Sequence, residues 1–312
     1  MIIFGTADPG PAQYLSEVIQ SIETPYICFC SQISQKVFAK NNIKAFVYTP
    51  QRLEKEKVSQ IIVGSRTETA FDSLLLKWGN QNKIKTIMVI EHWTNFKERI
   101  FSLDESNLPS EIWVNDLESK NKLTRLGIEQ QRIFVVGNPI LERLQKSSKS
   151  KKLKTDAILF VSEDMSDESF KLKQNYGFDE YQVLETILRY KPEQKMLYIK
   201  LHPAEKIDKY ENFCEEFGVE IIQEASKESL GDYEIIIGMN SFLLIELAMM
   251  KNRVYTYRPN QKELFIGEQL NLTYNLREKE LTSLLRDQVH FYSNNPSVSF
   301  IGSKKNILNR LI

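Results

Sequence analysis

Histidine and cysteine are scarce in this chain, charge of one sign is not in excess, and no apolar run is long. The 312 residues include three histidines and three cysteines. His92, His202 and His290 stand far apart, and neither Cys28-x-Cys30 nor Cys214 has a second Cys/His pair nearby. A tetrahedral zinc centre needs four such donors, so no metal is expected. The odd cysteine count, with two inside the apolar run YICFC, reads as buried free thiols in a reducing compartment. Lys plus Arg number 41 and Asp plus Glu 41, so the net charge is zero and no nucleic-acid partner is expected. No stretch approaches a membrane span. MIIFGTADPG has no basic segment leading into a long apolar one, and so does not read as a signal peptide. The expectation is a cytoplasmic protein, with any membrane contact peripheral and at the inner face.

Several catalytic motifs are missing too. There is no G-x-x-x-x-G-K-[ST] loop, which argues against a P-loop nucleotidase. The first turn is not G-x-G-x-x-G, which weakens a dinucleotide dehydrogenase. No H-E-x-x-H is present. Ser241 in GMNSF does not stand in G-x-S-x-G, so it does not read as a hydrolase nucleophile.

What the chain does have is alternation. Apolar residues make up 42% and aromatics 11%, enough for real cores. In the first half MIIFG, YICFC, AFVY, SQIIVG, KTIMVI, SEIWV and RIFVVG are separated by amphipathic, helix-length stretches. That is the pattern of parallel βαβ units. LQKSSKSKKLKTDA, residues 144–157, interrupts it with Ser and Lys and reads as a linker or exposed crossover. The alternation then resumes with AILFVS, KMLYIKLH, VEIIQE, YEIIIG and RVYTYR. The fold class expected is α/β: two Rossmann-like domains, 1–150 and 151–312, facing a cleft.

In open α/β sheets ligands bind beyond the carboxyl ends of the strands, so the residues after each apolar run carry the functional argument. Asp8 and Gly10 follow the first run, Glu68 the run SQIIVG, and Glu91-His92-Trp93 with Arg99 the run KTIMVI. Ser162 follows AILFV, His202-Pro203 follows MLYIKL, and Asn240-Ser241 follows YEIIIG. Asn240 or Ser241 can cap a helix whose free N–H groups suit a phosphate, and Pro203 is placed to open another. Each is equally an ordinary cap or turn, but two in one half-chain point to a nucleotide-phosphate pocket. Gly10 either lets the first loop approach a ligand or makes a tight turn.

His-Pro after one strand and a Ser-bearing helix start after another resemble the second half of bacterial sialyltransferase and polysialyltransferase families. EHWTNFKERI followed by LPSEIWVNDLESKNKLTRLGIEQQRIFVVGNP is similar to bacterial surface-polysaccharide transferases, with Glu91 where an Asp is usual. The resemblance implies a metal-independent GT-B-like glycosyltransferase with no cofactor. It would be inverting, moving a sialic-type nonulosonic acid from a CMP-activated donor to a glycan or glycolipid acceptor. The donor half would then use Ser162, His202, Pro203, Asn240 and Ser241, with Gly10. The acceptor half would supply Glu91 as base; His92 would orient it, stabilise charge or serve as the base itself, and Asp8 and Glu68 are the reserve carboxylates. Trp93, Arg99 and Glu68 would lie on the acceptor side. Glu91 is also open to a plain pairing with Arg99, and Trp93 to packing in a loop. A nucleotide-sugar epimerase or hydrolase on the same fold, and a non-catalytic nucleotide- or glycan-binding protein, are the other two readings.

Overall fold

Strands that are apolar on both faces build both halves of the molecule. The computed structural model describes residues 1–49, 53, 57–65, 71–101, 104, 106–147, 154–167, 176–203, 205–250, 253–261, 263–291 and 296–311. Glu68 lies outside them. Two α/β units result, each with an all-parallel sheet.

Unit 1 comprises Met1–Arg143 and Phe300–Ile312. Its strands are β1 (Ile2–Thr6), β2 (Tyr26–Cys30), β3 (Ala45–Val47), β4 (Gln60–Gly64), β5 (Lys85–Ile90), β6 (Glu111–Val114) and β7 (Ile133–Val135), in the order β3-β2-β1-β4-β5-β6-β7. Every residue of β1 and β4 is buried, as central parallel strands require, whereas edge strands β3 and β7 leave Val47 and Val135 exposed. Ile3 stands opposite Ile27 on one side and Ile61 on the other. The chain order reverses between β1 and β4, the topological switch point where such sheets bind ligands.

Unit 2, Leu144–Ser299, repeats the plan with β8 (Lys154–Val161), β9 (Met196–Lys200), β10 (Glu220–Ile222), β11 (Tyr233–Gly238), β12 (Val254–Tyr257) and β13 (Tyr274–Leu276). The order is β10-β9-β8-β11-β12-β13, with its switch point between β8 and β11. Its core packs Phe160, Ile199 and Ile237 against Leu184, Ile187 and Leu284 of flanking helices.

Three details differ from the sequence reading. The division falls between Arg143 and Leu144 instead of at 150, and residues 300–312 return to unit 1. Of the stretch 144–157, residues 148–153 lie outside the described part, Leu144–Lys146 end a helix and Lys154 already begins β8. Pro203 does not open a helix: the chain turns there, and the next helix is Glu211–Phe217. The turn is closed by two contacts of Glu205: its carboxylate accepts the His202 N–H at 2.6 Å, and its own N–H donates to the His202 carbonyl at 3.0 Å.

Candidate functional site

In unit 1 the polar residues gather beyond β1, β4 and β5. Glu91 follows β5 directly and is 6% exposed. Among the described residues its Oε2 has no hydrogen-bond partner. Burial pushes the carboxyl up to about 7; the Arg99 charge and the residue's own backbone N–H pull it down, and Asp8 adds to the rise. Tyr14, on the buried face of the first helix Pro9–Ile19, is held neutral by burial and by the Glu91 charge, and its hydroxyl donates to the Gly137 carbonyl at 3.2 Å.

Gly10 is the cover over this carboxylate. It lies exposed in the first turn of the helix, and a Cβ there would sit 3.2 Å from Glu91 Oε1. The backbone of Gly10 is not left-handed, so an alanine fits the chain conformation. Gly10→Ala is therefore expected to close the approach to Glu91 without unfolding unit 1. Turnover should fall while the melting temperature stays put, and equal loss of both would show a packing role instead. Gly10, expected to let the first loop approach the donor, stands where the start of the first helix meets the end of β5.

His92 follows Glu91 and is half-buried. Its Nδ1 is 2.9 Å from the Thr94 hydroxyl, and burial, helped by the Arg99 charge, lowers the imidazole to about 4. At neutral pH it is an uncharged ring that can accept or donate a hydrogen bond but brings no charge. Asp8 occupies the cap position of Pro9–Ile19 without capping it through its side chain. Arg99 donates from Nη1 to the Ser65 carbonyl at 3.0 Å and hydroxyl at 2.6 Å. The expected pairing with Glu91 is thus a charge influence, while Nε of the same guanidinium donates to the Thr94 carbonyl at 3.4 Å.

Trp93 is not a sugar platform. It is 2% exposed, its indole N–H donates to Asp116 Oδ2 at 2.5 Å, and its ring meets Phe300 edge-on at 6.2 Å. A buried indole with a satisfied N–H is a packing residue. Asn115 and Asn138, which sequence reasoning did not place, form a buried amide ladder behind the turn. Asn138 donates to Asn115 Oδ1 at 3.3 Å, and Asn115 donates to the Glu91 carbonyl at 2.7 Å. The Gly-Asn-Pro motif was their signal. Asn138 also caps the helix Pro139–Lys146 by accepting the N–H groups of Ile140 and Leu141.

In unit 2 the second cluster lies at the ends of β8, β9 and β11. The Asn240 N–H donates to Glu163 Oε2 at 2.6 Å across the switch point, and Asn240 Oδ1 accepts from Arg258 at 3.3 Å. Ser241 caps Phe242–Met249, accepting the Leu243 N–H at 3.3 Å. His202 and Pro203 are exposed in their turn. The amides of His202 and Asn240, expected to face a phosphate, each hold a carboxylate of the chain itself.

Ser162 was expected to line the entrance but is 1% exposed. It donates to Glu205 at 2.6 Å and lies 2.5 Å from the Tyr210 hydroxyl. Both belong to a buried knot in which the carboxylates of Asp164, Glu180 and Glu205 converge as metal ligands would. Lys209 Nζ stands among them, at 3.0, 2.5 and 2.8 Å respectively. The side chains of Glu180 and Glu205 are fully covered and that of Lys209 is 9% exposed. The knot ties β8, the His202 turn and the helix Glu180–Tyr190 together, so Ser162 supports the His202 turn from beneath.

These features define an architecture of two parallel-sheet α/β units, each with polar side chains at its switch point, as in GT-B-type enzymes. No protein-family model matches the chain, and neither does any curated protein. Solved structures do match over nearly the whole chain. A UDP-GlcNAc 2-epimerase of Methanocaldococcus jannaschii, in complex with UDP-GlcNAc and UDP, aligns at TM-score 0.64 and 15% identity, covering 99% of both chains. A UDP-N-acetylglucosamine 2-epimerase of Rickettsia bellii aligns at 0.65 and 13%, covering 99% of this chain and 95% of the other. A lipopolysaccharide outer core galactosyltransferase aligns at 0.55 and 12%, over 99% and 94%. At such identities the likeness is one of fold. Among the described residues, no helix is long and apolar enough to cross a membrane.

Proposed function

We propose that the protein acts on a sugar nucleotide and that Glu91 is its proton-transfer group. The observation that carries this reading is the Glu91 carboxyl. It is buried at the end of β5, thinly covered by Gly10, and poised near 7, where a group takes and returns protons at neutral pH.

The reaction proposed first is glycosyl transfer. Ionised Glu91 takes the proton of an acceptor hydroxyl as its oxygen bonds to the anomeric carbon. The bond from that carbon to the phosphate oxygen breaks, and its electron pair leaves with the phosphate. Neutral His92 can hydrogen-bond the acceptor hydroxyl and fix its direction. In unit 2, Ser241 and Asn240 at the start of Phe242–Met249, with His202 beside Pro203, are proposed to hold the nucleotide's phosphate. Hydrogen-bond donors and the helix end would stabilise the leaving charge there, without a metal. The resemblance in the sequence favours a CMP-activated nonulosonic acid as donor and a glycan or glycolipid as acceptor.

Epimerisation of a UDP-sugar is the second reading, favoured by the higher TM-scores of the two epimerases, 0.64 and 0.65 against 0.55 for the galactosyltransferase. The same carboxylate would then take a proton from carbon.

Thermal shift against CMP, CDP, UDP and GDP separates the donors, since a ligand that binds only the native state stabilises it by mass action. Ser241→Ala should weaken the nucleotide that binds by a few-fold to about a hundred-fold, the span from losing a neutral hydrogen bond to losing one to a charged group. Turnover without an acceptor identifies the epimerase, and turnover that depends on one identifies the transferase. Either should persist in EDTA. A chain that no nucleotide stabilises would overturn the reading.

A further inference from the structure

Residues 300–312 close unit 1 from the far end of the chain, and they meet the turn that carries Glu91. The Phe300 ring is 1% exposed and lies edge-on to Trp93, at an interplanar angle of 71°. Phe300 is itself fixed. Its carbonyl accepts the Ser303 hydroxyl at 2.5 Å, and the next amides, of Gly302 and Lys304, donate to the two oxygens of buried Glu142 at 3.0 and 2.7 Å. Ser303 packs beneath Gly137, where a Cβ would come within 2.1 Å of its Oγ, and Gly137 has φ +87°. Only glycine meets both conditions.

Two routes therefore run from this segment to the Glu91–Trp93 turn. One is apolar and short, from Phe300 to Trp93. The other is polar, from Ser303 under Gly137 to Asn138, to Asn115 and to the Glu91 carbonyl. Together they hold the turn at its first residue by the backbone and at its third by the side chain, and His92 is carried between. At its other end the segment is anchored by Arg310, which pairs with Glu111 at 3.0 Å and lies over the Phe134 ring at 3.5 Å.

We propose that Phe300 is a positioning residue for the Glu91–His92 pair, acting through Trp93, and that the returning segment thereby sets the geometry of proton transfer. This rests on the reading of Glu91 given above. A reacting group displaced by an ångström loses rate far more than it loses binding. Trp93 and Ser303, which Phe300 meets, are not proposed to hold nucleotide, so its removal is expected to act on the chemical step.

The test compares Phe300→Ala, Phe300→Leu and Glu91→Gln with the unaltered full-length chain. Turnover is followed with a CMP-activated nonulosonic acid and with UDP-GlcNAc. CMP and UDP binding is measured by calorimetry. The fluorine resonance of fluorotryptophan at position 93 is assigned with Trp93→Phe. Phe300→Ala should displace the Trp93 resonance and lower kcat by about 10- to 100-fold, leave KM and nucleotide affinity essentially unchanged, and be largely rescued by leucine. An unmoved resonance overturns the proposal. So does a displaced resonance with unchanged kcat, or a loss of rate matched by a loss of nucleotide binding that leucine does not restore. If Glu91→Gln keeps full turnover, the proton-transfer reading fails by itself. The Trp93 resonance then decides whether Phe300 holds the turn: displaced and rescued by leucine supports it, unmoved overturns it.

Discussion

Glu91→Gln should slow turnover by about 10²- to 10⁴-fold, the contribution of a positioned general base, and yet leave a more stable protein. Glutamine keeps the shape of the side chain and removes its basicity. In the unaltered enzyme only the ionised form accepts a proton, so the rate should rise with pH through about 7, and that limb should vanish in the variant. The stability change follows from the same burial. The unfolded carboxyl ionises at its ordinary 4.5 and the folded one at about 7. Between these values the native state binds the extra proton, so stability falls as pH rises. Above pH 7 the whole cost is present, roughly 3 kcal/mol for a shift of this size. Glutamine removes it, so urea melts at pH 8 should favour the variant and melts at pH 4 should coincide. Faster unfolding of the variant at pH 8 would mean that the ionised carboxylate is structurally paired, and the base would have to be sought in Asp8.

The second large effect concerns Lys209. Lys209→Met should destabilise unit 2 by about 3–5 kcal/mol, the range for breaking a buried ion pair and stranding its partner. Here three carboxylates share one ammonium, and two of their side chains are wholly covered. Their attraction and hydrogen bonds raise the Lys209 pKa despite the opposing effect of burial. Urea denaturation followed by hydrogen exchange would locate the loss in the His202 turn, β8 and the helix Glu180–Tyr190. A change below about 1 kcal/mol, the scale of an exposed pair, would show that solvent already screens the knot.

The strand ends were legible because central parallel strands are apolar on both faces and stop abruptly at a polar residue. KTIMVI ending at Glu91 and YEIIIG ending before Asn240 needed no partner to be seen. The partners could not be read. Gly10 and Glu91 are far apart in the chain, and only the order of β1, β4 and β5 brings them together. Packing was one of the two readings of Trp93, but its partners Asp116 and Phe300 were not legible. Lys209 reads as one more charge on a polar stretch until Asp164, Glu180 and Glu205 converge on it. Pro203 suits the second place of a turn as well as the first place of a helix, so the sequence left the two open at His202-Pro203.

The return of residues 300–312 has a consequence for synthesis. Glu142 is made 160 residues before Gly302, the first amide that its buried carboxylate receives. At about 5–20 residues per second a ribosome needs roughly 8–32 s to span that interval. Throughout it the nascent first unit carries a carboxylate shorn of its donors and an indole without its aromatic neighbour. Vectorial folding can lay down the seven strands but cannot finish them. Maturation of the first unit therefore waits on the synthesis of Phe300 to Lys304, so chains stalled within unit 2 should display an accessible Trp93 and be open to quality-control proteases.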